Sequence, residues 1–179
     1  MADRISKLLE SYESHISIQW NQLLSAEERA VIVVYDKADE LKLQARLGEF
    51  ELATKTHQHG WQHYDLSDAF PNWMMNQKRI TPYFKRPGLL KTKYSYFFED
   101  LVEQIITNIE PSHTEKDVLC LSSCGTLFGF LSISDLLKAI SKRVTGRVVL
   151  FFPGEKIDNV FRLLDATDGW GYQATTISN

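Results

Sequence analysis

The chain has 179 residues, 44% hydrophobic and 24% charged, with a net charge of −3, the composition of a soluble globular protein long enough for one domain with a real core. That charge gives no global pull towards nucleic acid or an anionic membrane, so any such contact must come from a local patch. No run approaches the roughly 20 apolar residues that span a bilayer, Met1-Ala2-Asp3-Arg4-Ile5 lacks a signal-peptide core, and only Cys120 and Cys124 are available for disulfides, so a cytoplasmic protein with free thiols is expected.

Ile5, Leu8, Leu9, Tyr12, Ile16, Trp20, Leu23 and Leu24 recur at steps of three and four, which predicts a helix from Ala2 to Leu24. Ser25-Ala26-Glu27-Glu28 has capping-box character but is followed at once by an apolar run, Ala30 to Tyr35, read as a buried strand stopped by Asp36. Helix formers dominate Ala38 to Thr56, with Leu41, Ala45, Leu47, Phe50 and Leu52 approximating one face. A second strand is expected from Trp61 to Leu66, ending near Asp65, and then a helix start at Ser67-Asp68-Ala69-Phe70-Pro71.

Lys78 to Lys93 is basic, irregular and interrupted by Pro82 and Pro87, with room for a turn of helix. Tyr94 to Ile109 returns to helical spacing. Two continuous apolar runs follow, Asp117 to Ser122 and Arg147 to Phe152, each ending in a small-residue turn and separated by a helix from Ser132 to Arg143. This is the pattern of parallel strand, crossover helix and parallel strand. Short strands at Val160–Leu164 and Tyr172–Ile177 flank Asp168-Gly169-Trp170-Gly171, a turn sequence that would close a C-terminal hairpin. The sum is a single α/β domain over residues 1–179, a three-layer sandwich with a Rossmann-like, mainly parallel sheet.

Candidate chemistry sits first at the strand ends. Neither GxxxxGK[ST] nor GxGxxG occurs, and Asp36-Lys37-Ala38-Asp39-Glu40 is too acidic and glycine-poor to cradle phosphate. Ser122-Ser123-Cys124-Gly125-Thr126 offers small residues whose N–H groups can face an anion, although a tight turn alone calls for the same residues. Cys124 is placed as a nucleophile would be, but no histidine is tied to it by sequence. Asp36 and Asp65 are expected to terminate adjacent strands and would together suit Mg²⁺, although Asp also forms turns and caps helices. His57, His59 and His63 offer three imidazoles for zinc, yet histidine is favoured in a helix's last turn by the dipole alone. These residues define one reading, a nucleotide- or metal-dependent enzyme with Asp36, Asp65, Ser123 and Cys124 at its edge.

Lys78, Arg79, Lys85, Arg86, Lys91 and Lys93 are interleaved with Tyr83, Phe84, Tyr94 and Tyr96. Cations beside aromatics suit a nucleic-acid backbone with base stacking, or a protein interface anchored by Arg and aromatic side chains, or a solvated loop. A surface built on Tyr83, Phe84, Lys85, Arg86, Tyr94 and Phe97 is the expected partner-binding region.

The order of strand, Cys-Gly turn, Phe-rich link, Ser-Asp-Leu-Leu helix and Val-Val-Leu-Phe-Phe-Pro-Gly-Glu resembles the BrxB family of bacterial BREX phage-defence systems. The likeness is best from Val118 to Glu155 and covers about two-thirds of the chain, with Phe151, Phe152, Pro153, Gly154 and Glu155 carrying its most specific pattern. The tail from Lys156 to Tyr172 departs from the commoner family ending, as a distant or short branch would. The resemblance implies a cytoplasmic component of a multiprotein defence complex, beside larger proteins such as the alkaline-phosphatase-like PglZ, an ATPase and a methyltransferase. It brings no catalytic residues and no cofactor. The expectation is therefore a scaffold or interaction module rather than an enzyme.

Overall fold

The computed structural model describes residues 3–21, 23–158, 160–163, 166–168 and 174–178. In chain order the elements are α1 (Arg4–Ile16), β1 (Ala30–Tyr35), α2 (Glu40–Thr56), β2 (Trp61–Asp65), α3 (Ala69–Met75), α4 (Thr81–Lys85), α5 (Tyr94–Thr107), β3 (Val118–Ser122), α6 (Ile133–Ser141), β4 (Arg147–Pro153), β5 (Glu155–Ile157), β6 (Val160–Leu163), β7 (Ala166–Asp168) and β8 (Thr175–Ile177). The main sheet has the order β2-β3-β4-β1-β8, with every neighbouring pair parallel.

Strand alternation divides the core in two. Val31, Val33 and Tyr35 of β1 join Val149 and Phe151 of β4 beneath α1 and α2, where Leu8, Tyr12, Leu43 and Phe50 meet them. Ala30, Ile32 and Val34 point the other way, with Val148, Leu150 and Phe152, onto α5 and α6. The near-continuous apolar runs of β1, β3 and β4 follow from burial on both faces. This is the expected three-layer, Rossmann-like α/β arrangement.

Several boundaries and faces differ from the sequence reading. α1 stops at Ile16, because Ser14 and Ser17 turn their hydroxyls back onto the carbonyls of Glu10 and Ser14 at 2.8 and 2.9 Å. Trp20 then folds back, its indole N–H donating to the Ile16 carbonyl. In α2 the buried face is Leu43, Leu47, Phe50, Ala53 and Thr54, whereas Leu41 and Leu52 are exposed. Residues 78–93 are more ordered than irregular: α4 is followed by a 3₁₀ helix from Pro87 to Lys93, each opened by proline.

The C-terminal strands do not pair as a hairpin with each other. β6 instead pairs antiparallel with β5 and β7 in a small second sheet, while β8 joins the main sheet beside β1. Leu164, Gly169–Gly171 and Tyr172 of that reading lie outside the described residues. Gly154 makes the passage from β4 to β5: its φ is +153°, and a Cβ there would stand 2.2 Å from the Arg162 carbonyl oxygen.

Candidate functional site

The first candidate region is the carboxyl edge of the sheet, where α/β folds hold ligands. Asp36 caps the turn after β1, accepting the Ala38 N–H at 2.9 Å, and Arg4 pairs with it at 2.9 Å. Asp65 ends β2 and accepts the Ser67 N–H at 2.9 Å. Strands β3 and β4 lie between their strands. Three inter-strand steps of about 4.8 Å put the two carboxylates on the order of 14 Å apart, too far to share one Mg²⁺. The paired-carboxylate site is therefore corrected: each aspartate serves its own turn.

Ser123 and Cys124 lie beside β2 and β4. Ser123 adopts left-handed φ and ψ of 61° and 27°. Its hydroxyl accepts from Gln44 Nε2 at 3.1 Å, and Gln44 also donates to Glu40, which takes the Tyr35 hydroxyl hydrogen bond. Burial pushes the Asp65 carboxyl up, but hydrogen bonds from the Ser67 backbone and the Ser67 and Ser123 side chains outweigh it and hold it below the usual range. Asp65, Ser123, Gln44, Glu40 and Tyr35 thus form a polar chain tying α2 across the ends of β2, β3 and β1.

Cys124 is fully buried, and its thiol donates to the Phe151 carbonyl at 3.3 Å. It packs as a core residue, not as an exposed nucleophile. Gly125 is close-packed as well, since a Cβ there would stand 3.1 Å from Pro153 and 3.5 Å from Leu163, while Thr126 beside it is exposed. The turn's small residues answer to close packing.

A cleft of about 480 Å³ opens beyond the ends of β1, β4 and β8, lined by Arg4, Asp36, Lys37, Glu155, Lys156 and Arg162 among others. Its charges are largely engaged with one another. Arg4 reaches Asp39 at 2.7 Å as well as Asp36, Arg162 Nε donates to Glu155 at 3.0 Å, and Lys156 donates to Thr176 Oγ1 at 3.0 Å. Of the residues put forward for the strand-end site Asp36 falls here, as do Gly154 and Glu155 of the Phe-Phe-Pro-Gly-Glu pattern.

The three histidines do not converge. His57 faces Glu13 at 3.3 Å, His59 stacks on Trp20 and bonds the Lys116 carbonyl at 2.8 Å, and His63 lies 2.7 Å from Ser122 Oγ. Among the described residues no group of three His, Cys, Asp or Glu side chains could hold a metal ion. Nor, among those residues, is any helix long and apolar enough to cross a membrane.

The second candidate region is the basic helical stretch. Between residues 78 and 93 there are six cations and no carboxylate. Phe84 is 69% exposed, Leu89 45% and Tyr96 56%, with Met75 of α3 at 76%. Lys85 and Arg86 are exposed beside Phe84, and Tyr83 is half-buried. Phe97 is corrected: at 1% exposure it belongs to the core and cannot meet a partner. It packs edge-on against Phe70 at 5.1 Å, within an aromatic group that includes Trp73, Phe130 and the half-buried Tyr94. This group packs α3 against α5, the helices from which Met75 and Tyr96 face outward.

The family model described as BREX protein BrxB matches residues 74–177, more than half of the 179-residue chain. The chain belongs to the BrxB family. It is thus a component of a BREX phage-defence system. No curated protein matches, and no solved structure matches. The BrxB match begins within α3 and takes in the basic helices, the aromatic residues Tyr94, Phe97 and Phe130, and strands β3, β4 and β8. It leaves α1, β1, α2 and β2 outside.

Met75 and Leu89 escaped the sequence reading because a lone Met or Leu in helical spacing looks like core. The Gln44–Ser123 link escaped it because 79 residues separate the partners.

Proposed function

We propose that this BrxB chain is a non-catalytic interaction module, docking another protein of its BREX system through the surface of residues 78–96. The observation that carries the reading is the row of exposed apolar side chains Phe84, Leu89 and Tyr96 among cations. Such aromatic anchors with Arg beside them are where interface energy concentrates. Lys85, Arg86, Lys91 and Lys93 give the surface a positive sign, which favours an acidic face on the partner, the PglZ-like component being the first to try. The buried thiol of Cys124 and the separation of Asp36 from Asp65 support the non-catalytic part of the reading.

The test is co-purification of the tagged chain with its co-expressed BREX neighbours, beside the triple variant F84A/L89A/Y96A. Loss of the neighbours from the variant, at an unchanged melting temperature, is expected. Equal recovery by both would refute the proposed surface.

A further inference from the structure

The opposite, amino edge of the sheet carries a second cleft, of about 240 Å³, between the end of α1 and the starts of β1 and β4. Its lining includes Trp20, Asn21, Arg29, Glu115, Thr145 and Arg147. Arg147 opens β4, and by strand alternation it shares the α1 side of the sheet with Val149 and Phe151. Only 7% of it is exposed. Its guanidinium lies 4.5 Å over the Trp20 ring, which is itself stacked on His59 with centroids 3.6 Å apart. Its Nη1 faces His15 Nε2 at 3.4 Å. No ion pair to Arg147 stands among those of the described residues, and the Glu115 carboxylate lines the same cleft, a negative charge that an entering anion has to pass.

A guanidinium taken out of water calls for a counter-charge. The carboxyl end of α1 supplies about half a negative charge through its dipole, and the Trp20 face adds a cation–π contact. Against these stands a second guanidinium, Arg29, anchored on the Val144 and Gly146 carbonyls at 2.9 Å each. Burial first, and then Arg29, lower the proton affinity of Arg147 below its ordinary value. The cleft is smaller than the roughly 300 Å³ at which drug-sized pockets begin, so it suits one charged group with a few attached atoms.

We propose that this cleft binds a small oxyanion, a phosphate or carboxylate group, between Arg147 and Arg29, with the Trp20 ring packed behind the Arg147 guanidinium. The guanidinium fork matches both groups. The site is separate from the docking surface of residues 78–96, and its test uses the isolated chain.

The test follows the arginine Nε–H and tryptophan indole N–H signals of ¹⁵N-labelled protein during titration with inorganic phosphate, with acetate, and with chloride at matched ionic strength. The Arg147→Lys and Trp20→Phe variants assign the two signals. Expected are saturable shifts of the Arg147 and Trp20 signals with phosphate or acetate and not with chloride, the stronger of the two naming the ligand class. In Arg147→Lys, which keeps the charge but loses the fork, the Trp20 shift should saturate about tenfold more weakly. Shifts linear in anion and equal in chloride would overturn the site. So would saturation unaltered in folded Arg147→Lys. Should that variant fail to fold, the chloride comparison on the wild-type chain decides alone.

Discussion

Replacing Phe97 by alanine separates the frame of the docking surface from the surface itself. The ring is 1% exposed and makes contacts at 5.1 Å with Phe70 and 5.4 Å with Trp73. Removing a buried phenyl costs about 3–5 kcal/mol, from lost transfer energy and the cavity left behind. At about 2–4 °C per kcal/mol for a chain of this size, the melting temperature should fall by roughly 6–20 °C. Phe84→Ala, at 69% exposure, should change stability by no more than about 0.5 kcal/mol. Thermal and urea melts followed by circular dichroism read the melting temperature and the free energy of both variants. Should Phe97→Ala melt like the wild type, or Phe84→Ala fall by several kcal/mol, the assignment of one ring to the core and the other to the surface would be wrong.

Two further outcomes follow from named groups. His15, His59, His63 and His113 are all held below the ordinary imidazole value of 6.5, burial being the largest cause at each. Below pH 6.5 the unfolded chain therefore binds more protons than the folded one, so stability should fall as pH drops through that value and be flat above it. The urea midpoint at pH 7.5, 6.5 and 5.5 checks the sign, and a midpoint that rises on acidification would contradict it. Gly154→Ala forces a side chain into a φ of +153° with its Cβ 2.2 Å from the Arg162 carbonyl oxygen. A loss of at least about 2 kcal/mol in a denaturant melt is expected, and a loss below about 0.5 would show that the β4–β5 passage yields easily.

The three layers were legible in the sequence because β1, β3 and β4 are buried on both faces and so read as unbroken apolar runs. The helix from Ile5 was legible for the same kind of reason, but its end was not. Trp20, Leu23 and Leu24 continue the spacing, while the serine hydroxyls that end α1 leave no mark on hydropathy. Strand order was hidden as well. Asp36 and Asp65 look like neighbours because they end consecutive strands, and only the placement of β3 and β4 between them forbids a shared ion. Phe97 illustrates a third limit. In Tyr94-Ser95-Tyr96-Phe97-Phe98 every aromatic looks alike, and the packing of α5 against Phe70 and Trp73 decides which one is buried. Arg147 was read only as the start of an apolar strand. Its cleft needs residues 20, 29 and 147 together, which no local pattern links.

The most direct test of the account places a photo-activated cross-linking residue at Phe84, and in a separate variant at Leu52 on the exposed face of α2, in cells expressing the whole BREX system. Both positions are exposed, at 69% and 66%, so reactivity alone does not distinguish them. The account predicts a covalent adduct with another BREX component from position 84 and none from position 52. Adducts from position 52 alone, or from neither position while the chain still co-purifies with its neighbours, would contradict it.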